Sequence, residues 1–93
     1  MERKFVEAWL SCRAQAQAQG VRFRPMKPEE AMQTAHRSLT GSRESDGFSQ
    51  LCQKKLIKLS LEALAVDRRF TALFSDTEAD NALQRLMDAG YFG

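Results

Sequence analysis

The sequence predicts an all-α fold: a compact bundle of four or five helices in one domain over residues 1–93, with a short extended connector at residues 21–27. Three observations carry this prediction. Five Gly and two Pro leave few turn-formers, while the helix-favouring Ala, Leu, Gln, Arg and Glu abound. Apolar residues recur at spacings of three and four along several segments, which is the period of an amphipathic helix. Hydrophobic residues make up 43% and charged residues 28%, a balance that excludes wholesale disorder, and 93 residues leave room for one core only.

The first helix is expected over residues 2–19. Phe5, Trp9, Cys12 and Ala16 form its seam, Val6 and Leu10 widen it, and Gly20 stands where a C-terminal cap belongs. Residues 21–28 (VRFRPMKP) alternate apolar and basic before two prolines, which deny the stretch a helix interior. Val21 and Phe23 are expected on the core and both arginines outside, with pairing to a copy of the same strand as an alternative. Pro28, Glu29 and Glu30 open a second helix, whose apolar face is Ala31, Met32, Ala35 and Leu39 and whose stop is Gly41. Residues 41–47 (GSRESDG) form a polar loop, with Asp46 as the expected N-cap of the next helix.

Residues 48–74 admit one long helix or two. Phe48, Leu51, Cys52, Leu59, Ala63, Val66, Phe70 and Leu73 share one seam, yet Leu56, Ile57, Leu61, Leu64 and Ala65 make the middle apolar nearly all round. A break near Ser60 or Asp67 is the favoured reading, because helices this long are uncommon in small domains. Ser75-Asp76-Thr77-Glu78 is a capping box that starts the last helix. Its expected inner face is Ala79, Ala82, Leu83, Leu86 and Met87; Gly90 ends it, and Tyr91 and Phe92 fold back.

The net charge of +2 hides an uneven layout. Residues 1–72 hold 13 Lys/Arg against 8 Asp/Glu, a net +5, whereas residues 73–93 hold Arg85 against four acids, a net −3. Such asymmetry suits an anionic partner or self-association. Glu7 interrupts the apolar run that a secretory leader would need, and the tract at residues 56–66 is too short and too charged for a membrane span. The expectation is a cytoplasmic chain with reduced thiols and no membrane contact.

Catalytic and metal chemistry find few parts. Cys12, His36 and Cys52 lack zinc-site spacing, so both cysteines are assigned to packing. Asp76, Glu78 and Asp80 imitate the start of a calcium loop that then fails at Asn81 and Met87. His36 has no nucleophile motif around it and is expected as a half-exposed structural residue. No cofactor is expected and no enzyme is predicted. Residues 59–74 (LSLEALAVDRRFTALF) loosely resemble a helix-turn-helix with a recognition helix from Asp67. They depart from it at the turn, where only Val66 separates the halves and the usual Gly is missing. Lys54, Lys55 and Lys58 form a basic face, for which pairing of Lys58 with Glu62 is the plain explanation.

The functional expectation is a non-enzymatic helical protein-interaction module, an adaptor or accessory protein that self-associates or joins a larger protein. Its candidate apolar interface is Val6, Trp9, Leu10, Tyr91 and Phe92. The alternative is a small nucleic-acid-binding protein contacting phosphates through Arg22, Arg24, Lys27, Lys54, Lys55 and Lys58. Trp9 has a second expected role as a core anchor, meeting the tract at residues 56–66 and Leu83 or Leu86.

Overall fold

The computed structural model of the chain describes residues 2–41 and 44–91. Among them lie five α-helices, α1 (Glu2–Ala18), α2 (Ala31–Thr40), α3 (Phe48–Gln53), α4 (Leu61–Ala65) and α5 (Asp76–Asp88), and three 3₁₀ turns at Pro28–Glu30, Ile57–Leu59 and Thr71–Leu73. The all-α bundle and its extended connector at residues 21–27 are as the sequence predicts.

Helix α1 ends as expected. Gly20 takes a left-handed φ of 94°, the Val21 N–H returns to the Ala16 carbonyl at 3.0 Å and the Gly20 N–H to that of Gln17 at 3.0 Å. This Schellman pattern satisfies carbonyls that would otherwise lack donors and lays Val21 against Ala16 in the core. Arg13, rather than Cys12, fills the third place of the α1 seam. Its guanidinium lies over the Trp9 and Phe23 rings at 5.8 and 4.6 Å and donates to the Arg24 carbonyl at 2.6 Å.

Side chains, not a copy of the strand, hold the connector. The Gln50 amide accepts from the Arg22 N–H at 2.9 Å and donates to the Arg22 carbonyl at 3.0 Å, and the Asp46 carboxylate accepts from the Arg24 N–H at 2.6 Å. Asp46 is therefore not the N-cap of α3. Gly47 holds that place with φ 79°, and a Cβ there would sit 2.4 Å from the Phe23 ring.

Residues 48–74 break more often than the sequence suggests. Ser60 caps α4 by accepting from the Ala63 N–H at 3.1 Å, in line with the break expected there. An earlier stop occurs at Lys55, which carries the left-handed φ of 60° that a cap normally assigns to glycine. The Leu56 N–H then bonds the Leu51 carbonyl at 2.8 Å. No recognition helix follows Asp67: α4 ends at Ala65, and the chain turns through Phe70 into a 3₁₀ turn. The helix-turn-helix likeness does not extend to the structure.

The main core gathers Phe5 and Trp9 from α1, Ala31, Ala35 and Leu39 from α2, Leu61, Leu64 and Ala65 from α4, and Phe70, Phe74 and Ala82. Phe5 meets Phe70 and Phe74 edge to face, with ring centroids 5.4 and 5.2 Å apart, a geometry suited to the ring quadrupoles. Ala16, Val21, Leu51 and Leu59 form a second cluster, and Cys12 packs against both. No helix among the described residues is long and apolar enough to cross a membrane.

Candidate interaction surface

Helix α5 positions the surface, and its buried side explains how. Glu78, Ala82, Arg85 and Leu86 face inward. The Arg85 guanidinium donates to Glu62 on α4 at 3.1 Å and to the Ser38 and Gly41 carbonyls at the end of α2 at 3.0 and 2.7 Å. Glu62 is fully buried and also accepts from the Ser45 N–H and hydroxyl at 3.0 and 2.5 Å. No buried side-chain donor or acceptor among the described residues lacks a partner, the condition under which a buried ion pair is tolerated. Lys58 does not pair with Glu62, because Ser60 starts a new helix and turns Glu62 into the core.

A second cross-link lies at the start of α5. Ser75 and Glu78 form the expected capping box, with bonds of 2.8 and 3.2 Å, and the other Glu78 oxygen meets His36 Nδ1 at 2.6 Å. An ionised carboxylate only accepts, so Nδ1 carries the hydrogen. Burial would raise the Glu78 carboxyl, but the Ser75 N–H and the His36 ring outweigh it and hold the group below its ordinary range. His36 also lies 5.3 Å from the Phe74 ring. The acid beside this histidine is thus Glu78, forty-two residues away, and its second oxygen is already committed to the helix cap. No three of His, Cys, Asp and Glu converge as metal ligands among the described residues.

With its inner face filled by Arg85, α5 turns Leu83 and Met87 outward, 40% and 57% exposed, contrary to the expected core face. Tyr91, 39% exposed, follows them. These three are the large hydrophobics that the described residues leave exposed. Gly90, with φ 76°, closes the helix, and the Tyr91 N–H returns to the Leu86 carbonyl at 2.9 Å. Beside Tyr91 opens a groove of about 400 Å³, with Cys52, Ile57, Ala89 and Gly90 along it and Lys55 and Lys58 at its edge.

The other residues that stand out in the sequence are spread over the molecule. Trp9 is 5% exposed and belongs to the core with Leu61, Leu64 and Ala65, so it serves as the core anchor and not as part of an exposed apolar face. Val6 and Leu10 are half-buried and line a shallow depression with Met32 where α1 meets the start of α2. Phe92 lies outside the described residues. Arg22, Arg24, Lys27, Lys54, Lys55 and Lys58 are all exposed, but they do not make one patch. Arg22 and Lys54 both lie near the end of α1, where Gln50 holds the Arg22 backbone and the Lys54 amine covers Gly20. Lys55 and Lys58 border the Tyr91 groove. Arg24 lines a separate cavity that it shares with Glu30 and Asp46.

Sequence reasoning missed Leu83, Met87 and the Glu62–Arg85 pair. A signal for the first two was present. Projected at about 100° per residue, Asp76, Asp80, Leu83 and Met87 fall on one line, and a line shared with two carboxylates is not a core face. Scanned against family models, curated proteins and solved structures, the chain matches none of them.

Proposed function

We propose that the chain is a small non-enzymatic helical module that binds protein, as an adaptor or accessory factor, through the outer face of α5. The observation that carries the reading is the exposure of Leu83 and Met87 one turn apart on the outer side of α5, with Tyr91 exposed just beyond the helix end. Exposed large side chains scattered singly need no explanation, but Leu83 and Met87 are neighbours on one helix face and together form a patch of the kind used for contact. A cytoplasmic setting goes with this reading. Cys12 and Cys52 are both free thiols, and burial, the leading influence on each, raises their pKa.

A photo-crosslinking side chain placed at position 87 in the native host tests it. A discrete protein adduct from position 87, resistant to nuclease and absent from position 17 on the outer side of α1, is the expected result. No protein adduct from position 87 contradicts it.

A second reading has one observation in its favour. None of the six exposed cations is in an ion pair among the described residues, which leaves them for phosphate. Duplex DNA binding would then weaken with salt by about 0.9 log units per contact for each log unit of salt. Failure to bind DNA or RNA at about 50 mM salt, where such attraction is strong, would remove this alternative.

A further inference from the structure

We infer that the cavity between α1, α2 and the extended connector binds a free amino acid with an apolar side chain, its carboxylate held by Arg13 and its ammonium by Asp46. No residue of α5 lines this cavity, so the inference goes beyond the protein-binding reading and does not depend on it.

Arg13 and Arg85 are each 9% exposed, and they are served differently. Arg85 meets Glu62 and two backbone carbonyls. Arg13 donates to one acceptor, the Arg24 carbonyl at 2.6 Å, and takes part in no ion pair among the described residues. A guanidinium carries five N–H donors, so most of this one has no protein acceptor. Those donors are not sealed in, because every buried side-chain donor among the described residues has a partner. They open on a cavity of about 240 Å³ that Arg13 lines. A cation withdrawn from water without a counter-ion is costly, and an anion in the cavity would supply one. Burial, the leading influence, already lowers the Arg13 pKa, with the Asp46 charge working the other way.

The rest of the lining selects the ligand. Asp46 and Glu30 bring carboxylates to the same cavity, so a phosphate, negative on every side, would meet like charge. Asp46 is near enough for its charge to act on Arg13, yet the two form no ion pair. One Asp46 oxygen accepts from the Arg24 N–H at 2.6 Å, and the other bonds no described residue. A carboxylate and an ammonium on one carbon fill such a gap, each meeting its opposite charge, with the carboxylate taken two-pronged by the guanidinium. Trp9, Met26 and Leu61 give the ligand side chain an apolar wall. The volume, about 240 Å³, is below the ~300–1,000 Å³ of sites for drug-sized molecules and suits a ligand this small.

The fold holds these groups in place before any ligand arrives. The Arg13 guanidinium rests on the Trp9 and Phe23 rings, and the Asp46 bond to Arg24 ties the loop to the connector. Thr34 and Ser38, one turn apart on α2, bring two hydroxyls to the cavity that bond no other described residue. A site whose charged groups are already positioned loses less on binding than one that must be ordered.

Two-dimensional NMR of the ¹⁵N-labelled chain provides the test, with a panel of free L-amino acids each added to about 10 mM. Trp9 is the one tryptophan of the chain, so its indole N–H is a single reporter on the cavity wall, and the Arg13 Nε–H is a second. Saturable shifts of both are expected with an apolar member such as leucine, at a Kd below about 1 mM. Isocaproate, which is leucine without its ammonium, isoamylamine, which lacks the carboxylate, and inorganic phosphate should each bind at least tenfold more weakly. Arg13→Lys keeps the charge but loses the planar fork, and Asp46→Asn loses the charge but can still accept from the Arg24 N–H. Each should weaken leucine tenfold or more. Thr34→Phe, at a half-buried position, fills the cavity and should abolish binding, which keeps the test decisive should Arg13→Lys not fold. A panel in which no amino acid shifts the two signals overturns the inference. Isocaproate or phosphate binding as tightly as leucine overturns it as well, and so does leucine binding that survives Asp46→Asn or Thr34→Phe unchanged.

Discussion

The two sides of α5 use similar residue types in opposite ways. Inward, Arg85 and Glu78 are charged side chains withdrawn from water, each fully engaged with groups from other parts of the chain. Outward, Leu83 and Met87 are apolar side chains left in water. Simple partition would place them the other way round. The inner side shows that a charged group can specify where a helix docks, provided every donor and acceptor finds a partner. The outer side shows where the apolar surface displaced by that arrangement goes, and it is available for contact.

The largest effect should come from the inner side. Arg85→Ala leaves Glu62 buried without its cation and the Ser38 and Gly41 carbonyls without their donor. It should cost about 3–5 kcal/mol, a large part of a total stability of about 5–15 kcal/mol. Urea denaturation measures this, with Gln84→Ala, one residue away on the exposed side, as the control expected within about 0.5 kcal/mol. Equal effects for the two variants would erase the contrast between the faces.

Helix capping and the extended connector were legible because they depend on local chemistry. Ser75 and Glu78 meet within one turn, Gly20 supplies its own left-handed conformation, and Pro25 and Pro28 bar a helix interior. The orientation of α5 was only half legible. Its apolar residues fit an inward face by period alone, and the competing choice needed Glu62 and Arg85, twenty-three residues apart, to be seen as one unit. Distance in sequence hid this pair, and it likewise hid the meeting of His36 with Glu78. The break at Lys55 left no trace, because neither glycine nor proline marks it. Of the candidate surface, Tyr91 and the groove lysines stand out in the sequence, whereas Trp9 fits both the core and an interface, and burial settles it in the core.

A smaller effect, dependent on pH, should sharpen the inner side of the comparison. The Glu78 carboxyl lies below its ordinary 4.5 in the folded chain. A lowered folded value means that its stabilisation is present above the ordinary carboxylate range and is lost as pH falls through the folded value. Glu78→Gln should therefore be less stable than wild type by about 1 kcal/mol at neutral pH. Thermal unfolding across an acid series should show that gap closing below pH 4.5. A gap that is constant with pH would mean the carboxylate charge is not what ties α5 to α2.

The smallest effect should come from the cap of α3, outside both sides of α5. Lys55→Gly relieves the left-handed strain of the α3 cap and should raise stability by about 0.5–1 kcal/mol. The thermal midpoint measures this gain. An unchanged midpoint would show that the left-handed φ of Lys55 stores no strain.

The central claim, that burial of the Glu62–Arg85 pair turns Leu83 and Met87 into water, is tested most directly by methyl NMR with a soluble paramagnetic probe. The account predicts strong broadening of the Leu83 and Met87 methyl signals and little effect on Leu86, which faces the core. Leu83 and Met87 methyls as protected as those of Leu86 would contradict it.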